Sequence, residues 1–214
     1  MKRQFALAVA LVAWFALVVQ LVVSIRMGIV RGNGWPYGLW MYVAFFTVTT
    51  NLLVAVASLL VAVAPDSRHG RRLGNPDSLT GIAANIVLVG ITYNAILAGL
   101  WKPQGWQLVA DLALHDVVPI LFVIFWWIVV PRASIRFRSA ALWALYPVAY
   151  FAYAMLRGVA TDFYPYPFIN VRELGFFWVT VNALGVLVAF FIILAVLTAV
   201  KVSFRATTSR ETAA

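Results

Sequence analysis

Asp111 and His115 stand four residues apart in an apolar stretch, so a helix would place both on one face. A carboxylate set there can orient the imidazole or raise its basicity, which is the requirement for moving a proton near neutral pH. Thr47, Thr50 and Asn51 share a second helix face. Tyr146, Tyr150, Tyr153 and Arg157 form a third stripe, in which spacings of four, three and four residues end in a cation that would sit at the mouth of a cavity. His115, Asp111, Asp116, Asp162 and Glu173 together offer one nitrogen and several oxygens, but there is no His-x3-His pair and only one histidine lies among them. No metal and no other cofactor is expected.

The elements that carry these residues are six apolar stretches, at residues 5–25, 38–64, 79–100, 108–130, 139–157 and 175–200. At about 1.5 Å of rise per residue, each can cross a hydrocarbon core of roughly 30 Å. The chain is 64% hydrophobic and 11% charged, far from the soluble average of about 25% charged. The expected fold is all-α: a polytopic bundle of six transmembrane helices over residues 1–200, with a disordered cytoplasmic tail at 201–214. The run from Phe5 to Ile25 is too long for the apolar core of a signal peptide, and reads as a retained first helix. With no cysteine, the chain has no disulfides or thiolate ligands.

The net charge of +9 is distributed by topology. Of the 16 Lys and Arg residues, eleven fall on one side of a six-span arrangement and five (Arg26, Arg31, Lys102, Arg157 and Arg172) on the other. The positive-inside rule puts both termini and the second and fourth connections in the cytoplasm. The basicity therefore reads as orientation and contact with anionic lipid, and no nucleic acid or obligate protein partner is expected. A bacterial cell membrane suits the Ala-, Val- and Arg-rich composition.

Orientation gives each polar residue a depth. Thr47 falls about 14 Å and Asn51 about 20 Å below the outer end of span two, and His115 about 10 Å below that of span four. Tyr93, Asn94, Tyr150 and Asn182 fall near His115 in level, whereas the inner half is apolar apart from Ser58, Asn85 and the span ends. Uncompensated polar groups at such depth are expensive and mark sites, so a polar cavity opening outward is expected. Thr49, Thr92, Thr180 and Asn85 read as interhelical glue. The fifth connection, Gly158 to Leu174, holds Tyr164-Pro165-Tyr166-Pro167-Phe168, a stiff aromatic segment suited to a lid or to an interfacial belt.

Phe45-Phe46-Thr47 through Asn51-Leu52, His115 followed by Pro119, and Tyr166-Pro167-Phe168 resemble motifs of the androgen-induced and androgen-dependent membrane hydrolases, most closely their bacterial six-span branch. The animal members are threonine hydrolases that cleave fatty acid esters of hydroxy fatty acids. The resemblance implies Thr47 as nucleophile and His115 as base, with release of the acyl-enzyme by water. Asn51, Asn182 or a tyrosine would stabilise the oxyanion. The threonines at 47, 49 and 50 leave the nucleophile open between Thr47 and Thr50.

The leading expectation is therefore hydrolysis of a lipid ester entering from the bilayer. Its catalytic residues would be Thr47, His115 and Asp111, and Asn51, Asn94, Tyr150, Arg157, Tyr166 and Asn182 would bind substrate, with Arg157 holding a carboxylate headgroup. The alternative is a carrier or receptor for a small amphipathic or lipid ligand, using the same cavity without chemistry. A third reading is a scaffold whose polar groups only join helices.

Overall fold

In the computed structural model, residues 1–131 and 134–211 are described, with side chains through residue 201 apart from the same gap. The described chain is helical, with no strand. Eight helices follow in order: α1 (Lys2–Val30), α2 (Gly34–Tyr42), α3 (Phe46–Val63), α4 (Arg68–Leu73), α5 (Pro76–Leu100), α6 (Trp106–Val129), α7 (Phe137–Thr161) and α8 (Val171–Glu211). Six of them, all but α2 and α4, are long and apolar enough to cross a membrane, α8 over Val171–Lys201. The protein is an integral, multi-pass, all-α bundle.

Local chemistry accounts for several boundaries. Ser67 accepts from the Gly70 amide to start α4, and Asn75 accepts from the Ser78 amide to start α5, with Pro76 in the first turn where a missing N–H costs nothing. Helix α8 turns at Gly175, whose φ of 74° lies outside the helical range. The backbone of α8 is helical through Glu211, including residues 201–211 of the expected tail. No Gly or Pro interrupts that stretch. Residues 212–214 of that tail lie outside the described residues.

The second span differs from its expected form. Residues 38–64 read as one helix, but the chain leaves helical geometry between Tyr42 and Phe46, and Phe45 is extended at φ −95° and ψ 134°. Helix α2 instead packs on the outer end of α1 at backbone distance, where a Cβ on Gly38 would lie 2.4 Å from the Ser24 carbonyl oxygen. A break at membrane depth must find partners for its free carbonyls. Side chains of α7 supply them: Tyr150 donates to the Ala44 carbonyl (2.7 Å), Tyr153 to that of Val43 (3.3 Å) and Arg157 to that of Trp40 (2.8 Å).

Three of the largest fully buried side chains, Phe122, Phe125 and Trp126, lie on α6 and fill the inner half of the bundle against α1 and α5. At that end Asp77 binds both the backbone and the guanidinium of Arg136, fastening the start of α5 to the connection that precedes α7. Helices α7 and α8 meet at two places, where Ala140 and Ala144 pack with Phe190 and Leu194 and where Ala154 packs with Val179, and they part between these.

Candidate active site

Because α3 begins at Phe46, Thr47 sits in its first turn, where backbone N–H groups have no partner within the helix and the helix dipole is positive. The Thr47 amide points at the Tyr166 hydroxyl, 3.4 Å away, and its side-chain Oγ1 lies 3.2 Å from Nε2 of His115 on α6. The other imidazole nitrogen, Nδ1, is 2.9 Å from the backbone carbonyl of Asp111. A carbonyl only accepts, so Nδ1 carries the proton and Nε2 presents a lone pair to the threonine hydroxyl.

Asp111 holds the far side of the imidazole. Its Oδ1 is 3.4 Å from Nδ1 and, among the described residues, accepts no hydrogen bond. A buried carboxylate oxygen in that place stabilises positive charge arriving on the ring. Its Oδ2 accepts from the Tyr93 hydroxyl, and the Tyr93 ring stacks on His115 with centroids 3.7 Å apart and planes 12° from parallel. The imidazole is thus fixed at its edge and its face, by residues of α5 and α6.

The backbone beneath the site is irregular for identifiable reasons. Both α5 and α6 pass through a π-turn at this level, at Tyr93–Leu97 and Ala113–Val117, a local widening common at functional sites. Pro119 has no N–H, so the His115 carbonyl loses its ordinary helical donor. Gly90 lets α5 approach there: a Cβ on it would come within 3.1 Å of that carbonyl oxygen.

Thr47, Asp111 and His115 are therefore brought together, whereas Thr50 is not part of the group. The Thr50 hydroxyl bonds Tyr146, which donates to Thr49, and no imidazole is within reach of that pair. Of the two threonines, Thr47 is the one whose hydroxyl lies beside an imidazole.

Most of the residues expected to bind substrate have other occupations. Asn51 is buried and spends its amide on the carbonyls of Thr47 (2.8 Å) and Leu114 (3.1 Å), so it clamps α3 to α6 and has no donor left for an oxyanion. Asn94 is exposed on the outside of α5 and donates to Gly90 and Asp116. Asn182 donates to the Phe168 carbonyl and braces the loop before α8. Arg157 is buried under Trp40, its guanidinium carbon 3.4 Å from the ring centroid, and lines neither cavity at the site. Its two terminal nitrogens donate to Tyr153 of its own stripe and to the Trp40 carbonyl, while Nε is buried without a partner among the described residues, so it does not stand at a cavity mouth. Tyr150 lines a cavity with its ring while its hydroxyl serves the α2–α3 break.

Tyr166 does reach the site. The loop carrying it crosses over the start of α3, stabilised by edge contacts of Phe45 with Phe163 and Tyr166 and by stacking of Tyr166 on Phe168. Burial pushes its hydroxyl up from the ordinary tyrosine range, so it stays a protonated donor. Tyr93 is the participant that the sequence did not single out, although its level beside His115 was a usable signal. Among the described residues, no three of His, Cys, Asp or Glu gather as a metal cluster. Comparison of the chain with family models, with curated proteins and with solved structures returned no match.

Proposed function

We propose that the protein is a membrane-embedded hydrolase of lipid esters in which Thr47 is the nucleophile and His115 the general base. The observation that carries this reading is the directed line from the Thr47 hydroxyl to Nε2, through the imidazole to Nδ1–H, and on to Asp111, together with the tautomer that the Asp111 carbonyl imposes. A hydroxyl is a weak nucleophile until a positioned base takes its proton, and such a base contributes about 10²–10⁴ in rate.

The steps follow from the geometry. Thr47 Oγ1 attacks the ester carbonyl while Nε2 takes its proton, and Asp111 steadies the imidazolium. The charge developing on the carbonyl oxygen is met by the Thr47 N–H at the positive end of α3 and by the Tyr166 hydroxyl. His115 then protonates the departing alcohol, and a water activated by the same nitrogen releases the acyl group. Fatty acid esters of hydroxy fatty acids, the substrates that the resemblance implies, belong to this class.

The helix break between α2 and α3 favours a second reading, a carrier or receptor for an amphipathic ligand, since broken membrane helices commonly frame transport sites. A lipid-tailed fluorophosphonate separates the two. The detergent-solubilised protein and its Thr50→Ala variant should become covalently labelled, and Thr47→Ala and His115→Ala variants of unchanged helicity and elution volume should not. Labelling of folded Thr47→Ala would exclude the nucleophile, and a parent protein that never labels would leave the carrier reading in its place.

A further inference from the structure

Thr47, Tyr93, Leu97 and Tyr166 form a partition that lines two cavities at once. One, of about 270 Å³, is bounded by α5, α7 and α8 through Leu88, Val89, Phe151 and Leu187. Its hydroxyl groups at Tyr150 and Thr180 are already donated to backbone carbonyls, so it offers a ligand an apolar wall. The other, of about 260 Å³, lies on the side of α1 and α6 and carries Gln20, Tyr42, Gln107, Asp111 and His115.

The partition gives the two cavities different chemical duties. His115 lines only the second. Its Nε2 must deliver a proton to the departing alcohol and later take one from water, so both alcohol and water approach from that side. The carbonyl carbon bonded to Thr47 then has its acyl chain directed to the opposite side of the partition. Access for such a chain exists where α7 and α8 part: Val148 and Leu184 line the first cavity and are also exposed on the outside of the bundle at 48% and 57%. The second cavity is narrowed by the Gln107 to Gln20 hydrogen bond, which joins α6 to α1 at 3.0 Å, and by Pro165 and Pro167 of the overlying loop.

From this we infer that the apolar cavity between α5, α7 and α8 is the acyl-chain site and the cavity holding His115 is the alcohol site. The substrate is then an ester of one apolar acyl chain with an alcohol whose bound part meets Gln20, Gln107 and His115. The assignment rests on Thr47 as nucleophile. In acylation the Thr47 Oγ1–carbonyl bond forms, the ester C–O bond breaks, and the threonine proton passes through Nε2 to the alcohol. In deacylation a water oxygen bonds the same carbon, the threonine ester breaks, and the water proton returns through Nε2 to Thr47. The products are one carboxylic acid and one alcohol, with no oxidant or metal required.

The test uses the full-length protein with 4-methylumbelliferyl acetate and octanoate, and with methyl octanoate as the smaller-alcohol probe. Ala183→Trp, which fills the apolar cavity, should lower the octanoate-to-acetate ratio of kcat/KM by at least about tenfold. Gln107→Trp, in the other cavity, should instead lower the ratio of methylumbelliferyl to methyl octanoate. An exchange of these two effects, or equal loss on every ester, overturns the assignment. In parallel, a diazirine-bearing palmitate is photolysed with the parent protein and its adducts are mapped. Adducts confined to residues 88–92, 147–151 and 180–187 support the chain site, and adducts elsewhere exclude it. The two failures are distinguishable: adducts in that cavity without hydrolysis of any ester would retain the chain site and reject the hydrolase.

Discussion

The inner and outer halves of the bundle both bury polar side chains, yet they use them differently. In the inner half, the Trp126 indole donates to Thr80, Thr80 donates to the Pro76 carbonyl, and Asn85 donates to the Gly81 carbonyl, all beside apolar core. These chains end in backbone, and none of the residues lines either cavity at the site. In the outer half, Thr47, His115, Asp111 and Tyr93 form a sequence of dissimilar groups whose first member faces both cavities. Burial of a polar group is thus a poor indicator of chemistry. Convergence of a hydroxyl, a base and an acid on open space is a better one.

Substitutions can break this comparison, beginning with the largest effect. Removal of the proposed base or nucleophile, in His115→Ala or Thr47→Ala, should lower lipid-ester turnover by at least about a thousandfold. Helicity by circular dichroism and elution volume should stay those of the parent. Loss of the fold in both variants would place these residues with the inner-half glue.

Tyr166→Phe removes the proposed oxyanion donor and retains the ring that stacks on Phe168. It should reduce kcat by about 10²–10³ with little change in KM. A change confined to KM would make Tyr166 a binding residue.

Arg157→Met addresses the support of the site. It strips the Trp40 carbonyl of its charged donor, so unfolding in a denaturant series should become easier by about 1.5–3 kcal/mol. Turnover should fall only as far as α2 loosens. The smallest effect on turnover belongs to Trp126→Phe in the inner half, where the hydrogen bond to Thr80 and part of a fully buried ring are lost. It should cost about 2–4 kcal/mol of stability, hydrogen bond and cavity together, and leave turnover at the parent value. A large loss of activity there would erase the distinction between the halves.

Part of the candidate site was legible before any coordinates. The Asp111 and His115 spacing fixed their shared face, and the common level of Thr47, His115 and Tyr93 followed from helical rise. The same reasoning misassigned Arg157 and Asn51, because a sequence shows which groups are polar and not which backbone carbonyls will compete for them. Arg157, Tyr150 and Tyr153 do form one stripe, as their spacing requires, but the stripe is spent on the α2–α3 break.

By itself, the sequence determined the six membrane crossings, their all-helical character and the asymmetric placement of basic residues. Transfer of apolar side chains into hydrocarbon and the requirement that every backbone group be satisfied within lipid act on each segment locally. Only the tertiary structure decided where span two breaks. Residues Tyr42 to Phe46 contain no Gly or Pro, and the break exists because α7 supplies three donors to carbonyls that a continuous helix would have satisfied alone. That break places Thr47 in the first turn of a helix, with its amide turned to the Tyr166 hydroxyl and its own hydroxyl beside His115, whereas Thr50 is left against Tyr146. Long-range partners made that choice, and local spacing could not.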